Sequence, residues 1–396
     1  MRIAFLNWRD STHPEGGGAE KYAETVCAGL AAAGHEVTLL CARHPGSAVE
    51  EVRDGVRVLR QGGRLGVYPA SVRRLRALER TGGRFDAVVD TQNGVPFLAR
   101  LATRSPAVVL VHHVHREQWP IVFGPVAARV GWFVESRVAP RLLRGSQYVA
   151  VSERTRDELA GLGVDPGSIA VVHNGTEPPL LADRPRHPDP RLVVLGRVVP
   201  HKRVEHAIAV LAALADRHPR LRLRVVGDGW WREEVATAAR RAGVGDRVDL
   251  LGFVDEETKH AELAAAWVAL APSVKEGWGL CVVEAATHAT PTVAYRGAGG
   301  LSESILDGES GLLVDDLEDL TRAVDRLLVD DEERERLGAG AVRHAARFTW
   351  AGSVEAWITV LTDTASRRVP TADRDAELSR RSRGARSPGS GRRAPR

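Results

Sequence analysis

The sequence predicts a doubly wound α/β protein in two halves, on three observations. Short apolar runs alternate with stretches of helical periodicity from the first residues to beyond residue 290. Some of these runs, such as residues 264–271 before Pro272, are continuously apolar, as strands buried on both faces of a sheet are. The rhythm breaks between residues 177 and 190, where Pro, Asp and Arg concentrate as in an interdomain linker. At 396 residues, 43% hydrophobic and 27% charged, the chain is long enough for two cores.

In order, the predicted strands of the first half are residues 3–8, 36–41, 87–90, 107–112 and 148–152. The first runs into Glu15-Gly16-Gly17-Gly18-Ala19-Glu20-Lys21-Tyr22, and Ala23, Val26, Cys27 and Leu30 mark the buried face of the helix that follows. Residues 71–80 form a short basic helix with an apolar side, and residues 121–143 mix large apolar groups with arginine. The first half closes on Ile169 to Thr176. Strands resume at 192–196, 223–227, 248–251, 267–271 and 292–294, with helical patterns over 204–214 and 280–288 and a last helix over 350–363. Arginines interleaved with Ser, Gly and Pro make residues 366–396 a disordered basic appendage.

Composition excludes several classes. No run of about 18 uncharged apolar residues exists to span a membrane, and the first eight residues are too short and strand-like for a signal peptide, so a cytoplasmic protein is expected. Cys27, Cys41 and Cys281 lack ligand spacing, which leaves them as reduced core residues. The net charge of +4 is concentrated in the tail, and the body has no basic stripe with interleaved aromatics, so no nucleic acid is expected as partner.

Chemistry concentrates in two places. Pro272-Ser-Val-Lys-Glu276-Gly277-Trp278-Gly279-Leu280-Cys-Val-Val-Glu284 puts two carboxylates around a glycine loop at the start of a helix. Gly277 and Gly279 let backbone N–H groups approach an anion, Glu276 is placed to accept from hexose hydroxyls and Glu284 from a ribose diol, with a diphosphate between. Two glutamates at this separation also arise by chance. Upstream, Leu192-Val-Val-Leu-Gly196-Arg197-Val-Val-Pro200-His201-Lys202-Arg203 ends a strand in glycine and then sets Arg197 and Lys202 about a turn, at the carboxyl edge where open sheets bind ligands. Such cations neutralise a diphosphate; the bland alternative is a solvated surface pair.

Together the two segments resemble the donor site of the retaining glycosyltransferases of family 4, over roughly residues 1 to 365: a Glu, seven residues, Glu motif and an upstream Gly-Arg with a following Lys. The resemblance implies a GT-B fold, two Rossmann-like domains facing a cleft. Residues 1–176 would form the acceptor side, with 350–364 crossing back onto it, and residues 177–349 the nucleotide-sugar side. It implies catalytic roles for Arg197, Lys202, Glu276 and His112, and donor contacts from Gly17, Gly18, Gly196, Phe253, Val254, Gly277, Trp278, Gly279, Leu280 and Glu284. The triple glycine lies against the diphosphate, leaves room for acceptor, or is a tight turn. Asp255 accepts from a guanine amino group or caps the helix that begins there. His113 and His115 face acceptor, or are structural; a metal cluster lacks companion ligands, and the family's donor chemistry needs no metal or other cofactor. Four positions depart from the family pattern: His173 for proline, Arg203 for glycine, and His288-Ala289 for a small residue and glycine.

The expected reaction is transfer of a hexose from a GDP- or UDP-sugar to an unidentified hydroxyl, with retention and no dedicated protein base. Rivals are a nucleotide-sugar epimerase or phosphorylase-like protein of the same architecture, and an enzyme working peripherally at the inner membrane surface on a lipid acceptor, touching it through residues 71–80 or 121–143.

Overall fold

Strands too apolar to leave either face in water are covered on both faces in this structure, a computed structural model that describes residues 1–178 and 185–366. The basic tail and the middle of the interdomain segment lie outside the described residues. One sheet holds β1 (Arg2–Leu6), β2 (Glu36–Cys41), β3 (Glu50–Arg53), β4 (Val56–Arg60), β5 (Ala87–Gln92), β6 (Ala107–Val111), β7 (Gln147–Ala150) and β8 (Ile169–Val171), in the order β3-β4-β2-β1-β5-β6-β7-β8. The other holds β9 (Arg191–Leu195), β10 (Arg222–Val226), β11 (Val248–Gly252), β12 (Val268–Ala271), β13 (Thr292–Tyr295) and β14 (Gly311–Val314), in the order β11-β10-β9-β12-β13-β14. Every named pairing is parallel except β3 with β4.

In each sheet the winding reverses once, between β1 and β5 and between β9 and β12. The carboxyl ends of those four strands therefore open crevices, and their loops are residues 7–17, 93–98, 196–203 and 272–279. The helices of the first half are α1 (Gly18–Ala32), α2 (Val67–Gly82), α3 (Trp119–Val122), α4 (Pro125–Phe133), a π-turn (Val134–Val138), α5 (Ala139–Leu142) and α6 (Glu153–Gly161). Those of the second are α7 (Val204–Leu214), α8 (Arg232–Arg241), α9 (Glu256–Ala265), α10 (Leu280–Ala286), α11 (Leu301–Ser304), α12 (Leu317–Val329), α13 (Asp331–Ala345) and the terminal α14 (Trp350–Ser366).

Alternation along β1 divides the packing: Ile3 and Phe5 face one core, Ala4 and Leu6 another. On the first side lie α1 and α14, joined where Trp357 Nε1 donates to Tyr22 Oη at 2.7 Å and Tyr22 Oη donates to the Val172 carbonyl at 3.2 Å. Trp278, Val283 and Ala286 of the second half enter this same core, so apolar burial continues across the junction. The chain leaves the first half beside the place where it returns, since Thr176 N donates to the Phe348 carbonyl at 2.9 Å.

Two expectations change. The apolar run 264–271 is not one strand: Ala264 and Ala265 end α9 and β12 begins at Val268, because an alanine-rich run suits a helix as well as a buried strand. Strands β3, β4, β8 and β14 were not foreseen; β3 is an exposed, charged edge whose Asp54-Gly55 turn, both residues at positive φ, was its local signal.

Candidate active site at the junction of the two sheets

The loop after β9 leaves the sheet through Gly196, at φ +144°, in a conformation closed to side chains, and a Cβ on neighbouring Gly227 would overlap the Gly196 carbonyl. The chain then makes a single 3₁₀ turn, Pro200–Lys202, and enters α7 through Arg203 in the left-handed region. This turn aims Lys202 at the loop after β12, where its Nζ donates to Glu276 Oε1; Ser273 Oγ donates to the same oxygen at 2.6 Å. Burial alone would raise the Glu276 carboxyl, but Lys202 and Ser273 outweigh it and hold it below the usual range. Burial, reinforced by the Lys202 charge, pushes His201 down to about 4, so it is neutral at pH 7.

The first half closes over this pair. A Cβ placed on Gly17 would lie 3.1 Å from Arg197 Nε, and one on Gly18 would lie 3.1 Å from Leu280 Cδ1. The glycine loop thus meets Arg197 and the start of α10 so closely that a Cβ at either position would press on the side chain opposite. Gly277 abuts the carbonyl of His112 at the end of β6. The His112 ring is 6% exposed, edge-on to Tyr22, and its Nε2 has no hydrogen-bond partner among the described residues. Burial takes His112 down to about 3, so it stays neutral with one polar atom unsatisfied. Among the described residues the N–H groups of Gly277, Trp278 and Gly279 likewise donate to nothing. Gly279 caps α10 at φ +91°.

Arg197, Lys202, Glu276, His112, Gly17, Gly18, Gly196, Gly277, Gly279 and Leu280 are therefore gathered at one junction. Glu284 stands beside it, but in company: its Oε1 accepts from Lys259 Nζ at 2.8 Å and from Lys21 Nζ of α1 at 3.4 Å, at a small recess also lined by Thr176, Glu177 and His260. Phe253 and Val254 follow β11, two strands away from β9; Phe253 is exposed, and Val254 packs against the core cluster that holds Val193, Val226 and Leu263. Asp255 accepts from Thr258 N at 2.7 Å and is the cap of α9, the second of its two sequence readings.

Trp278 can contact a donor only through its backbone amide. The indole is buried between His173 and Phe348, each ring centroid 4.6 Å away, and anchors the glycine loop from behind, so its backbone alone is left to face a ligand. His113 and His115 both have partners within the first half: His113 Nε2 pairs with Gln118 Oε1 at 3.0 Å and His115 Nδ1 with Glu135 Oε1 at 3.0 Å. No group of residues able to hold a metal occurs among the described residues. Ser273, His201, Lys21 and Lys259 were missed by sequence reasoning. Ser273 and His201 lie inside the two motifs, whereas Lys21 reaches Glu284 across 263 positions and had no local signal.

Two family descriptions match the chain: Glycosyltransferase Family 4 over residues 16–178 and Glycosyl transferases group 1 over residues 182–344. The chain belongs to glycosyltransferase family 4. Among relatives of this chain, the D-inositol 3-phosphate glycosyltransferase of Corynebacterium diphtheriae is 31% identical over 55% of the chain and 56% of its own length. The chain thus spans little more than half of that relative. The glycogen synthase of Mycobacterium tuberculosis is 28% identical over 92% of the chain and 94% of its own length. Among solved structures, sucrose-phosphate synthase from Thermosynechococcus elongatus superposes with TM-score 0.79 at 21% identity, covering 91% of this chain and 98% of that one. Anabaena Alr3699/HepE superposes with TM-score 0.68 at 19% identity, covering 92% and 98%. These structural likenesses show that this chain has the two-domain fold, GT-B.

Proposed function

We propose that this glycosyltransferase moves a hexose from a nucleoside-diphosphate sugar, with UDP as the favoured nucleotide, to a hydroxyl acceptor with retention at the anomeric carbon. The observation that carries it is the Lys202–Glu276 pair beside Arg197 and Gly17, at the junction where both switch points open. Arg197 and Lys202 neutralise the leaving diphosphate. As Lys202 turns to phosphate, the Glu276 carboxylate is released to accept from sugar hydroxyls, and the unpaired amides of 277–279 are free for anionic oxygen. Neutral His112 offers its unsatisfied Nε2 to the sugar, and Glu284 exchanges its lysines for the ribose diol. The bond from the anomeric carbon to phosphate oxygen breaks and the acceptor oxygen bonds on the same face. Its proton passes to the departing phosphate, so no protein base is used. Fixed cations fill the electrostatic role a metal would have, and no cofactor is invoked.

Support for UDP comes from two directions. Anabaena Alr3699/HepE was solved with UDP-glucose, and Asp255, the group suited to a guanine amino, is committed to the α9 cap. The acceptor meets the donor from the loops of the first half. A thermal-shift panel of UDP, GDP and ADP tests the donor: a nucleotide at 100 times its Kd adds about 2.7 kcal/mol of apparent stability, and UDP should do so alone. Lys202→Met and Glu276→Gln should each depress transfer about 10²–10³-fold with donor and acceptor saturating. Inverted product, or an epimerised sugar nucleotide formed without acceptor, would replace the proposal.

A further inference from the structure

From α3 to α5 the chain has two unlike faces. Inward, Ala128, Gly131, Ser136 and Ala139 are buried, and Gly131 leaves space for the Trp119 ring. Outward stand Val126 (73% exposed), Val130 (57%), Phe133 (59%) and Leu142 (40%). Val126, Val130 and Phe133 are spaced as one stripe of a helix, and the stripe runs on into Arg137 and Arg141, which with Phe133 and Leu142 line a shallow depression. Isolated exposed apolar residues are ordinary; a stripe of them is an interaction surface.

Charge identifies what it meets. Between residues 118 and 152 the one carboxylate is Glu135, which is 1% exposed and accepts from His115 N, His115 Nδ1 and Trp119 Nε1. Arg129, Arg137, Arg141 and Arg144 are exposed and form no ion pair among the described residues. Within residues 118–152 the outer face therefore offers apolar side chains and guanidinium groups with no exposed carboxylate; Glu117 and Glu153 flank the segment at its two ends. Apolar insertion beside a basic cluster is the two-part requirement of an anionic bilayer surface. The face is also placed for use: α3 packs beside the Pro200–Lys202 turn, so it begins at the mouth of the catalytic junction.

We infer that the α3–α5 face docks this enzyme on an anionic lipid bilayer and brings the cleft mouth to the lipid headgroups, where a membrane-borne hydroxyl acceptor is presented. The docking is independent of the donor chemistry; its consequence for the acceptor rests on the proposed transfer. The full chain, without donor, is sedimented with vesicles of phosphatidylglycerol and phosphatidylcholine, and with vesicles of phosphatidylcholine alone. It should bind the anionic vesicles and release at about 1 M salt, where the Debye length is about 3 Å. Arg137→Ala with Arg141→Ala should lower partitioning about thirtyfold, roughly fivefold per cation. Phe133→Asp should abolish it, while the thermal shift with UDP stays at the wild-type value in both variants. Absence of sedimentation, or equal sedimentation with neutral vesicles, overturns the inference. So does a dimer in sedimentation velocity that Phe133→Asp dissolves, which would assign the face to a second copy. Failure of UDP to bind would strike the donor proposal and leave the vesicle result standing.

Discussion

Gly277 and His112 meet backbone to backbone across the cleft, so closely that a Cβ on Gly277 would overlap the His112 carbonyl oxygen. Gly277→Ala must then push the two halves apart or displace the loop that carries Glu276. Because a misplacement of about 1 Å can cost about 10²-fold in rate, transfer should fall at least that far. Overpacking should cost about 1–3 kcal/mol, read from urea unfolding. A fully active Gly277→Ala enzyme would show that the contact is not kept during turnover.

Glu303 of α11 caps a helix in the other half. Its carboxylate accepts from Glu153 N at 2.9 Å and Arg154 N at 2.6 Å at the start of α6, while Lys275 pairs with Glu158 farther along the same helix. α6 is thus held at two points by the second half. Glu303→Gln with Lys275→Met should raise the radius of gyration of the ligand-free enzyme in small-angle scattering, with each half keeping its fold. Loss of the cap costs about 1 kcal/mol. An unchanged radius would mean the apolar core around Trp278 suffices for closure.

Buried neutral histidines set the acid limb of stability. Burial holds His112 at about 3 and both His201 and His288 at about 4 in the folded state, against an ordinary value of 6.5. Between these limits the unfolded chain binds protons that the folded chain refuses, so stability is full above pH 6.5 and declines as pH falls toward 4. Asp90 acts oppositely: burial raises it to about 6, so its contribution is present at low pH and is lost as pH rises from about 4 to 6. Three histidines outweigh one carboxyl. His201→Gln should flatten the stability profile between pH 7 and 5 by roughly 1–2 kcal/mol in urea unfolding. An unaltered slope would place the acid sensitivity elsewhere.

Arg203 and Ala289 occupy the left-handed region, at φ 48° and 53°. Both stand where the family pattern has glycine, and both φ values give the reason. Ala289→Gly and Arg203→Gly should each stabilise by a few tenths to about 1 kcal/mol, relief of backbone strain being partly offset by the entropy of glycine. Destabilisation of the Ala289 variant in differential scanning calorimetry would show that its Cβ packing matters more than its φ.

What could be read beforehand follows burial. The parallel core strands announce themselves because both faces are apolar, and β9 and β12 end at the very loops that carry Arg197, Lys202 and Glu276. β3 eluded the pattern because an exposed edge strand has no apolar face to show. That the Trp278 indole lies in the core was not legible, because an aromatic between glycines fits a cleft or a core equally well, and the choice depends on His173 and Phe348, far away in sequence. His173, which stands where the family pattern has proline, is part of that packing.

From the sequence alone came the two-halved α/β architecture, the family resemblance and the loops where chemistry collects, since strand patterning and short motifs are local properties of the chain. Tertiary structure alone decided that Lys202 rests on Glu276, that Lys21 and Lys259 occupy Glu284, that His112 is neutral with an unsatisfied nitrogen, and that Trp278 faces the core. Each of these depends on groups brought together from distant segments and on how completely water is excluded, and neither quantity is written in any single stretch of residues.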